Sequence, residues 1–496
     1  MKINKQAVFL VIVFFLALSL RLYKIDSPIA DWHSWRQTDT ASISRNFIKE
    51  GFTPFYPRVD SLHALNSYGE RNVNRYFFAE FPLYNIVAHP LYLIFGVRES
   101  LLRLVSAFFS SASAIVLFFL VKKYSSQLTA YFSAFFWAVV PFNVYYGRVT
   151  MPDPLHVFLS ISALLLTTVW LEKKTIPWLI FAATTMALTI LTKPFGIVLG
   201  LPIAVLILNN GGKWLISKGW IQVILFGFLA LGPYFLWRWH IDRYPEGQFA
   251  TDWLFNSTNI RFTGAFFRWI IFERLNKLIL GGGGFVLFFI GLVCPKNKKE
   301  WLFYLSWLTA LAIFICVIAT GNITHDYYQL PLVPILIILA AKGVEFIFGI
   351  GRGFWRKIFN GTIVVSLVAI MLAFGWFEVR GFYQINNFAI VEAGRFVDQT
   401  LPQDAKIIAP YNWDPAFLYQ TNRLGWPKLT GPIEEMINRG ASHYVSVNYD
   451  EKTKEIMKRY NVLEENESFV VVELIEKSKD LPTNKEDTQT LTPKTN

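Results

Sequence analysis

The chain has 496 residues, of which 53% are hydrophobic and only 17% are charged, and its mean hydropathy is +0.37. Soluble domains carry roughly 25% charged residues, and a chain this apolar would expose large hydrophobic patches to water, so a soluble protein is excluded. The formal net charge of +12 lies largely in short loops between apolar runs, and the two cysteines lie within such runs, which argues against nucleic-acid binding and against a disulfide framework.

The apolar runs predict a polytopic α-helical membrane protein. A helix crosses the hydrocarbon core with about 20 apolar residues, and about eleven runs approach this requirement. They lie near residues 7–23, 101–121, 128–146, 155–171, 176–192, 195–209, 219–237, 278–294, 300–319, 329–347 and 359–377. The first run lacks a small-residue cleavage site and is predicted to be a retained span. A shorter, proline-bounded run at 82–96 is predicted to be an interfacial helix.

The basic residues of the short loops predict the orientation of these spans. Under this count they all share the side of the N-terminus: Lys2, Lys5, Lys122, Lys123, Lys173, Lys174, Lys213, Lys218, Lys296, Lys298, Lys299, Arg352, Arg356 and Lys357. By the positive-inside rule that side is the cytoplasm. Residues 24–100 then form a long first outer loop, and the region after about residue 378 is extracytoplasmic as well. The lack of disulfides and of extra luminal modules favours a bacterial inner (plasma) membrane.

The C-terminal region, 378–477, predicts a small α/β domain on the outer side. Helical segments are expected around Phe388–Thr400, near Ile433–Asn438 and in EKTKEIMKRY. They alternate with the β-branched segments AKIIAP, HYVSVNY and SFVVVELI, a pattern that favours a sheet with crossover helices. Residues 478–496 are polar and are predicted to be disordered.

Ionisable residues collect on the predicted outer side. They are Asp31, His33 and Glu80 in the first outer loop, Asp153 in YGRVTMPDPLH, Lys193 in LTKPFG, Arg238, His240, Asp242 and Arg243 at the start of a later outer loop, and His325 and Asp326 in GNITHDYYQLPLVP. Ionisable groups at membrane depth are costly, so each suggests a functional site. Their common side is a stronger argument than any one of them.

Ordinary structural roles also account for single residues. Asp39 suits the cap of a helix that runs to about Glu50, Asp153 suits a turn or cap between two prolines, Lys193 suits snorkelling to the headgroups, Glu80 suits the start of the interfacial helix, and His325 suits an ordinary loop. Trp32 and Trp35 suit interfacial anchors. The run Gly281–Gly284 follows no strand and is expected to permit close helix packing rather than to bind phosphate.

The pattern resembles the GT-C membrane glycosyltransferases, the group that holds the protein O-mannosyltransferases and the lipid A aminoarabinose transferase. The matching features are HSWRQTDTASISRNF and EFPLYN in the first outer loop, YGRVTMPDPLH after the third span, LTKPFG after the fifth and HDYYQLPLVP before a late span. The resemblance covers about residues 5–350. It implies a transmembrane catalytic domain at 1–377.

The resemblance implies an enzyme that takes a sugar from a polyprenyl-phosphate donor and passes it to a hydroxyl on the far side of the membrane. The acceptor is a lipid, a glycan or a protein, and the sugar is a hexose or a pentose. A hydroxyl is a poor nucleophile, so a carboxylate must take its proton as attack proceeds. Cationic groups must stabilise the charge that develops on the leaving phosphate. A transporter or flippase of lipid-linked sugars is the alternative.

Site residues follow from the same resemblance. The general base is an acid at the start of the first outer loop, with Asp31 as the first choice by its distance from the span and Asp39 as the second. Asp153 matches a second outer acid that orients loop and acceptor. The donor-phosphate candidates are Lys193, His325, Tyr327 and Tyr328 by position, and Arg238, His240 and Arg243 by charge. Glu80 and His33 are assigned to the acceptor or to a metal.

The first outer loop departs from the family pattern. Many relatives carry an adjacent Asp-Glu pair before an Ala-x-Ile-x-Arg helix, and aligning that helix on Ala41–Arg45 puts Arg36 and Gln37 at the acidic pair. The assignment of the base therefore requires a shifted loop. Metal dependence varies across the family, and no strong ligand spacing is present here, so a divalent metal stays an open alternative.

Overall fold

The computed structural model describes residues 4–63, 72–294 and 297–476, and it divides into two compact units, Met1–Asn387 and Phe388–Asn496. The boundary lies beyond the expected position at 377–378. The last long helix continues to Val379, and the turn that follows packs back on the first unit, where Tyr383 lies against Tyr23 and Tyr145 with ring centroids 5.1 and 4.9 Å apart. The predicted disordered tail at 478–496 lies outside the described residues.

The regular secondary structure in the described part of the first unit is helical. Its helices are α1 Lys5–Arg21, α2 Ser34–Lys49, α3 Leu83–Phe95, α4 Glu99–Tyr124, α5 Gln127–Val139, α6 Pro141–Tyr146, α7 Asp153–Lys173, α8 Ile176–Thr192, α9 Gly200–Trp214, α10 Trp220–Ile241, α11 Trp253–Asn256, α12 Gly264–Phe267, α13 Gly283–Val293, α14 Lys298–Val317, α15 Ala319–Thr324, α16 Val333–Gly349 and α17 Phe354–Val379. Short 3₁₀ segments occupy Pro194–Leu199, Pro245–Gly247, Asp326–Leu332 and Arg380–Tyr383, and π-helical turns occupy Leu215–Gly219 and Arg268–Ile279.

Every predicted span falls on helical segments in the structure, although the runs at 128–146 and 278–294 are each broken into two. Among the described residues, seven helices are long and apolar enough to cross a membrane alone, and a bent pair, Gly264–Ile279 with Gly283–Val293, would make an eighth. The chain is therefore an integral membrane protein. The interfacial segment is the apolar helix α3, and the total of about eleven spans stays a prediction because several helices are shorter than a bilayer requires.

A buried arginine stabilises the break between α5 and α6. Pro141 begins α6 and cannot donate to a preceding carbonyl, so the end of α5 has backbone acceptors without helical partners. The Arg21 guanidinium at the end of α1 donates to the carbonyls of Trp137 and Ala138, each at 3.1 Å, and no part of Arg21 is exposed. One long-range side chain thus replaces the lost helical hydrogen bonds.

Glycines allow three helices to pack at very short distance. A Cβ on Gly283 would lie 2.0 Å from the carbonyl oxygen of Leu367 in α17, and one on Gly291 would lie 1.7 Å from that of Leu339 in α16. The expectation that the glycine run serves helix packing is confirmed, because backbones approach this closely only where no side chain intervenes.

The second unit is the predicted α/β domain. Its strands are β1 Lys406–Ile408, β2 Leu424–Trp426, β3 His443–Ser446, β4 Tyr460–Glu465 and β5 Val470–Glu476, in the order β2-β1-β3-β5-β4, and its helices are α18 Phe388–Thr400, α19 Ala416–Gln420, α20 Ile433–Asn438 and α21 Glu451–Arg459. Strand β1 pairs in parallel with β2 and β3, whereas β5 pairs antiparallel with β3 and β4. The sequence did not indicate β2 or β4, which are short or alternate weakly.

Candidate active site

A cavity of about 510 Å³ lies in the first unit, at the ends of several spans. Its wall is built from α2, the loop before α3, the junction after α8, the end of α10, the segment around α11 and the turn before α16. Of the residues predicted from sequence, it is lined by His33, Asp39, Glu80, Lys193, Arg238, His325, Tyr327 and Tyr328. Residues from segments far apart in the chain therefore share one concave surface, as expected for a ligand site.

Helix α2 contributes one basic and one acidic side chain to the cavity wall. Arg36 and Asp39 lie three residues apart and so share a helix face. Arg36 forms an ion pair with Glu80, and all three side chains line the cavity. Burial disfavours the charge of Arg36, but Glu80 and then Asp39 outweigh it and hold the pKa of Arg36 above its usual value. Sequence reasoning did not assign a function to Arg36, although its place in WRQTD was the available signal.

Asp31 does not line the cavity. Its carboxylate accepts from Gln37 Nε2 at 2.7 Å and from Arg103 Nη2 at 3.0 Å, and Arg148 Nη2 lies 3.9 Å away. These contacts bury Asp31 beneath helix α2. Gln37 in turn accepts from the backbone N–H of Thr150 at 3.0 Å, which connects α2 to the YGRVTMPDPLH segment. Asp31 therefore contributes to the position of α2 rather than to the cavity surface.

Asp153 lies behind Lys193. Lys193 Nζ is 3.4 Å from Asp153 Oδ2, and the Asp153 side chain is only 1% exposed. Neither carboxylate oxygen of Asp153 has a hydrogen bond from the described residues. Lys193 lies between α8 and the following 3₁₀ segment and lines the cavity. The buried Asp153 carboxylate packs against its amino group.

The turn before α16 contributes a stack of rings. His325, Tyr327 and Tyr328 pack with centroid separations of 5.3 and 4.9 Å along the series. Burial, followed by the nearby charges of His33, Lys193 and Arg274, lowers the pKa of His325 to about 4. His325 is therefore neutral at physiological pH and offers an uncharged imidazole to the cavity.

The segment before α2 contacts the turn before α16 through His33 and Asp326. His33 Nε2 lies 2.6 Å from Asp326 Oδ1, with side-chain exposures of 12% and 2%. Asp326 also accepts a hydrogen bond from the Tyr146 hydroxyl. Sequence reasoning placed both residues on the outer side but did not predict that they pair.

The three basic candidates after α10 separate in the structure. Arg238 lines the cavity and its Nη2 donates to Asp242 and Gln248 at 3.2 and 3.3 Å. His240 and Arg243 do not line it. They pack on each other at the surface, where Arg243 Nη2 lies 2.8 Å from His240 Nδ1. Charge alone could not distinguish them, because all three occupy one turn at a helix end.

Comparison with known proteins places this architecture. The family described as dolichyl-phosphate-mannose-protein mannosyltransferase matches residues 80–237. The crystal structure of ArnT from Cupriavidus metallidurans bound to undecaprenyl phosphate superposes with a TM-score of 0.62 at 14% identity, covering 94% of this chain and 98% of that one. Its apo state gives 0.64 at 15% identity, covering 95% and 99%. The chain has the GT-C fold.

The GT-C likeness extends to a more distant structure. The Archaeoglobus fulgidus oligosaccharyltransferase in its apo form superposes with a TM-score of 0.58 at 12% identity, covering 90% of this chain and 70% of that one. A search of curated protein sequences finds no match. The predicted fold class, a GT-C type helical membrane protein with a small C-terminal α/β region, is confirmed.

The described residues near the cavity were compared with the ligand sets of metal sites. No group of three or more His, Cys, Asp or Glu side chains within the described ranges is placed to hold a metal ion. Glu80, the acid assigned to an acceptor or a metal, is paired with Arg36, and His33 is paired with Asp326.

Proposed function

We propose that the chain transfers a sugar from a polyprenyl-phosphate donor to a hydroxyl acceptor on the extracytoplasmic face. The observation that carries the proposal is the cavity itself, in which the Asp39 carboxylate and the Lys193 amino group line one surface together with aromatic rings. Such a surface combines a proton acceptor, a cation and apolar walls, which sugar transfer from a lipid phosphate requires. The GT-C fold supports the same class of reaction.

Asp39 is proposed as the general base. Asp39 is preferred to Asp31 because Asp39 lines the cavity, whereas both carboxylate oxygens of Asp31 face buried donors. As the acceptor oxygen attacks the anomeric carbon, the bond from that carbon to the phosphate oxygen breaks. The acceptor proton passes to Asp39, and the electron pair of the broken bond stays on the leaving phosphate.

The donor phosphate is proposed to bind at Lys193 beside the rings of His325, Tyr327 and Tyr328. Lys193 supplies a positive charge to the phosphate as negative charge accumulates there. Asp153, buried behind Lys193, is a positioning residue that keeps the amino group at the wall. ArnT, which shares the fold, was crystallised with undecaprenyl phosphate, in agreement with a lipid-phosphate donor.

The orientation belongs to the same proposal. With the N-terminus in the cytoplasm of a bacterial inner membrane, the cavity and the C-terminal α/β domain are extracytoplasmic. A reporter fused behind Asp153 or His325 tests this arrangement. Cytoplasmic reporter activity at either position would contradict it.

The test of function is transfer from labelled donors in reconstituted membranes. The purified full-length chain is incubated with undecaprenyl-phosphate hexoses and pentoses, each labelled in the sugar, and with bacterial envelope extract as the acceptor source. Formation of free undecaprenyl phosphate together with labelled acceptor supports a transferase. Movement of intact labelled lipid between leaflets without either product would identify a transporter instead. The Asp39→Asn variant is the matched control for background hydrolysis.

A further inference from the structure

The carboxylate of Asp326 is held by four side chains from three separate segments. His33 and Tyr146 both contact Oδ1, and Trp32 Nε1 lies 3.4 Å from Oδ2. Arg274 Nη1 lies 3.6 Å from Oδ2. Because Asp326 is 2% exposed and fully surrounded by donors, its position is strongly constrained.

His33 is held in an unusual backbone conformation to make this contact. It directly precedes α2 with φ 56° and ψ 36°, in the left-handed region that non-glycine residues seldom adopt. Its side chain does not cap the helix. A residue kept in a sparsely populated conformation is maintained by its surroundings and is common at functional sites.

The two nitrogens of the His33 ring face different environments. Nε2 is bound to Asp326, whereas Nδ1 has no hydrogen bond among the described residues, and the side chain lines the cavity. A carboxylate bound to one ring nitrogen fixes the orientation of the imidazole and leaves the other nitrogen to exchange a proton with a ligand. Asp326 and His33 thus form a dyad directed at the cavity.

The groups around the dyad favour an anionic ligand at Nδ1. The rings of His325 and Tyr327 lie 5.4 and 5.0 Å from that of His33, and Lys193 lines the same cavity. Arg274 approaches the far oxygen of Asp326. The Asp326 carboxylate contacts the opposite nitrogen, Nε2, and is buried.

We propose that His33, in its protonated form, donates a hydrogen bond from Nδ1 to the leaving phosphate of the lipid donor, with Asp326 as its positioning residue. This rests on the proposed function and adds a second proton-carrying group to it. Asp39 receives the acceptor proton, and the imidazolium of His33 meets the charge that remains on the phosphate when the anomeric bond breaks. No other reactant is required.

The test is the affinity of undecaprenyl phosphate for the full-length protein in nanodiscs, with undecaprenol as the phosphate-free control. The variant is His33→Asn, since asparagine tolerates the left-handed backbone. Wild type is expected to bind undecaprenyl phosphate roughly tenfold more tightly than the variant, with no difference between the two proteins for undecaprenol. His89→Gln, at a histidine that stacks on Phe52 outside the cavity, is expected to match wild type.

Two outcomes separate the proposals. If wild type binds undecaprenyl phosphate no better than undecaprenol, the lipid-phosphate donor is contradicted. If it binds the phosphate selectively but His33→Asn binds it with the same affinity as wild type, only the dyad proposal falls. If the variant does not fold, chemical footprinting of the wild-type protein provides the test. Undecaprenyl phosphate must then protect His33, and not His89, from diethyl pyrocarbonate, and lack of protection at His33 overturns the proposal.

Discussion

Arg103 Nη2 lies 3.0 Å from Asp31 Oδ2 in the interior of the first unit, with side-chain exposures of 0% and 3%. Arg148 Nη2 approaches the same oxygen at 3.9 Å. One carboxylate therefore compensates two guanidinium groups that have no contact with solvent. This relationship separates the two acids of the first outer loop, because it occupies Asp31 and leaves Asp39 to face the cavity.

Replacing Asp31 with Asn is expected to lower the stability of the fold much more than the rate of sugar transfer. Removing one partner of a buried pair leaves an uncompensated charge and costs about 3–5 kcal/mol. We expect a clearly lower melting temperature in detergent, and for the folded fraction a turnover per molecule close to wild type. If the variant had a normal melting temperature but no turnover, Asp31 would instead be identified as the general base.

Replacing Asp39 with Asn is expected to lower the rate of sugar transfer without changing donor binding or stability. Loss of a general base lowers kcat by about 10²- to 10⁴-fold, whereas undecaprenyl phosphate binding and the melting temperature stay at wild-type values because the amide keeps the shape of the side chain. Single-turnover transfer of labelled sugar measures the rate of the chemical step, equilibrium binding measures the affinity for undecaprenyl phosphate, and thermal unfolding measures the melting temperature. Asp404→Asn, at an exposed position of the C-terminal domain, is the control and leaves all three unchanged.

The Lys193–Asp153 pair predicts a partial rescue. Lys193→Gln weakens undecaprenyl phosphate binding and also destabilises the fold, because Asp153 is then buried with an uncompensated charge. Adding Asp153→Asn is expected to restore the melting temperature without restoring binding. If the double variant recovered affinity, Lys193 would have only a structural function.

Helix packing at Gly291 predicts a strong effect from one methyl group. In Gly291→Ala the new Cβ would lie 1.7 Å from the carbonyl oxygen of Leu339, so α13 and α16 must separate. Overpacking of this kind costs about 1–3 kcal/mol, and the melting temperature should fall. Gly227→Ala in α10 is the matched control, since nothing lies within 4 Å of its Cβ and no loss of stability is expected.

The neutral imidazole of His325 predicts a pH dependence of stability. Burial and neighbouring charges lower its folded-state pKa to about 4, below the ordinary 6.5. Between these values the unfolded chain binds a proton that the folded protein does not, so stability falls as pH decreases through this window. The slope from one such group is at most about 1.4 kcal/mol per pH unit. His325→Gln should lose less stability between pH 7 and pH 4.5 than wild type, and equal losses would contradict the assignment.

Local sequence patterns were sufficient for the helices and for most of the second unit. Apolar runs found each span because burial in lipid requires continuous hydrophobicity. Breaks inside the runs, such as the one between Val139 and Pro141, were missed because their stabilisation comes from Arg21, more than one hundred residues away. The short strand Leu424–Trp426 carries too few residues for a periodic signal.

The amino-acid order alone established that this is a membrane protein with ionisable residues gathered toward one predicted side and an α/β region at its end, since hydropathy, loop charge and β-branched alternation are local properties. The choice between Asp31 and Asp39, the pairing of Arg36 with Glu80 and that of His33 with Asp326 came only from the folded chain. Each depends on partners from distant segments, and whether a carboxylate meets a buried guanidinium or an open cavity is a property of packing.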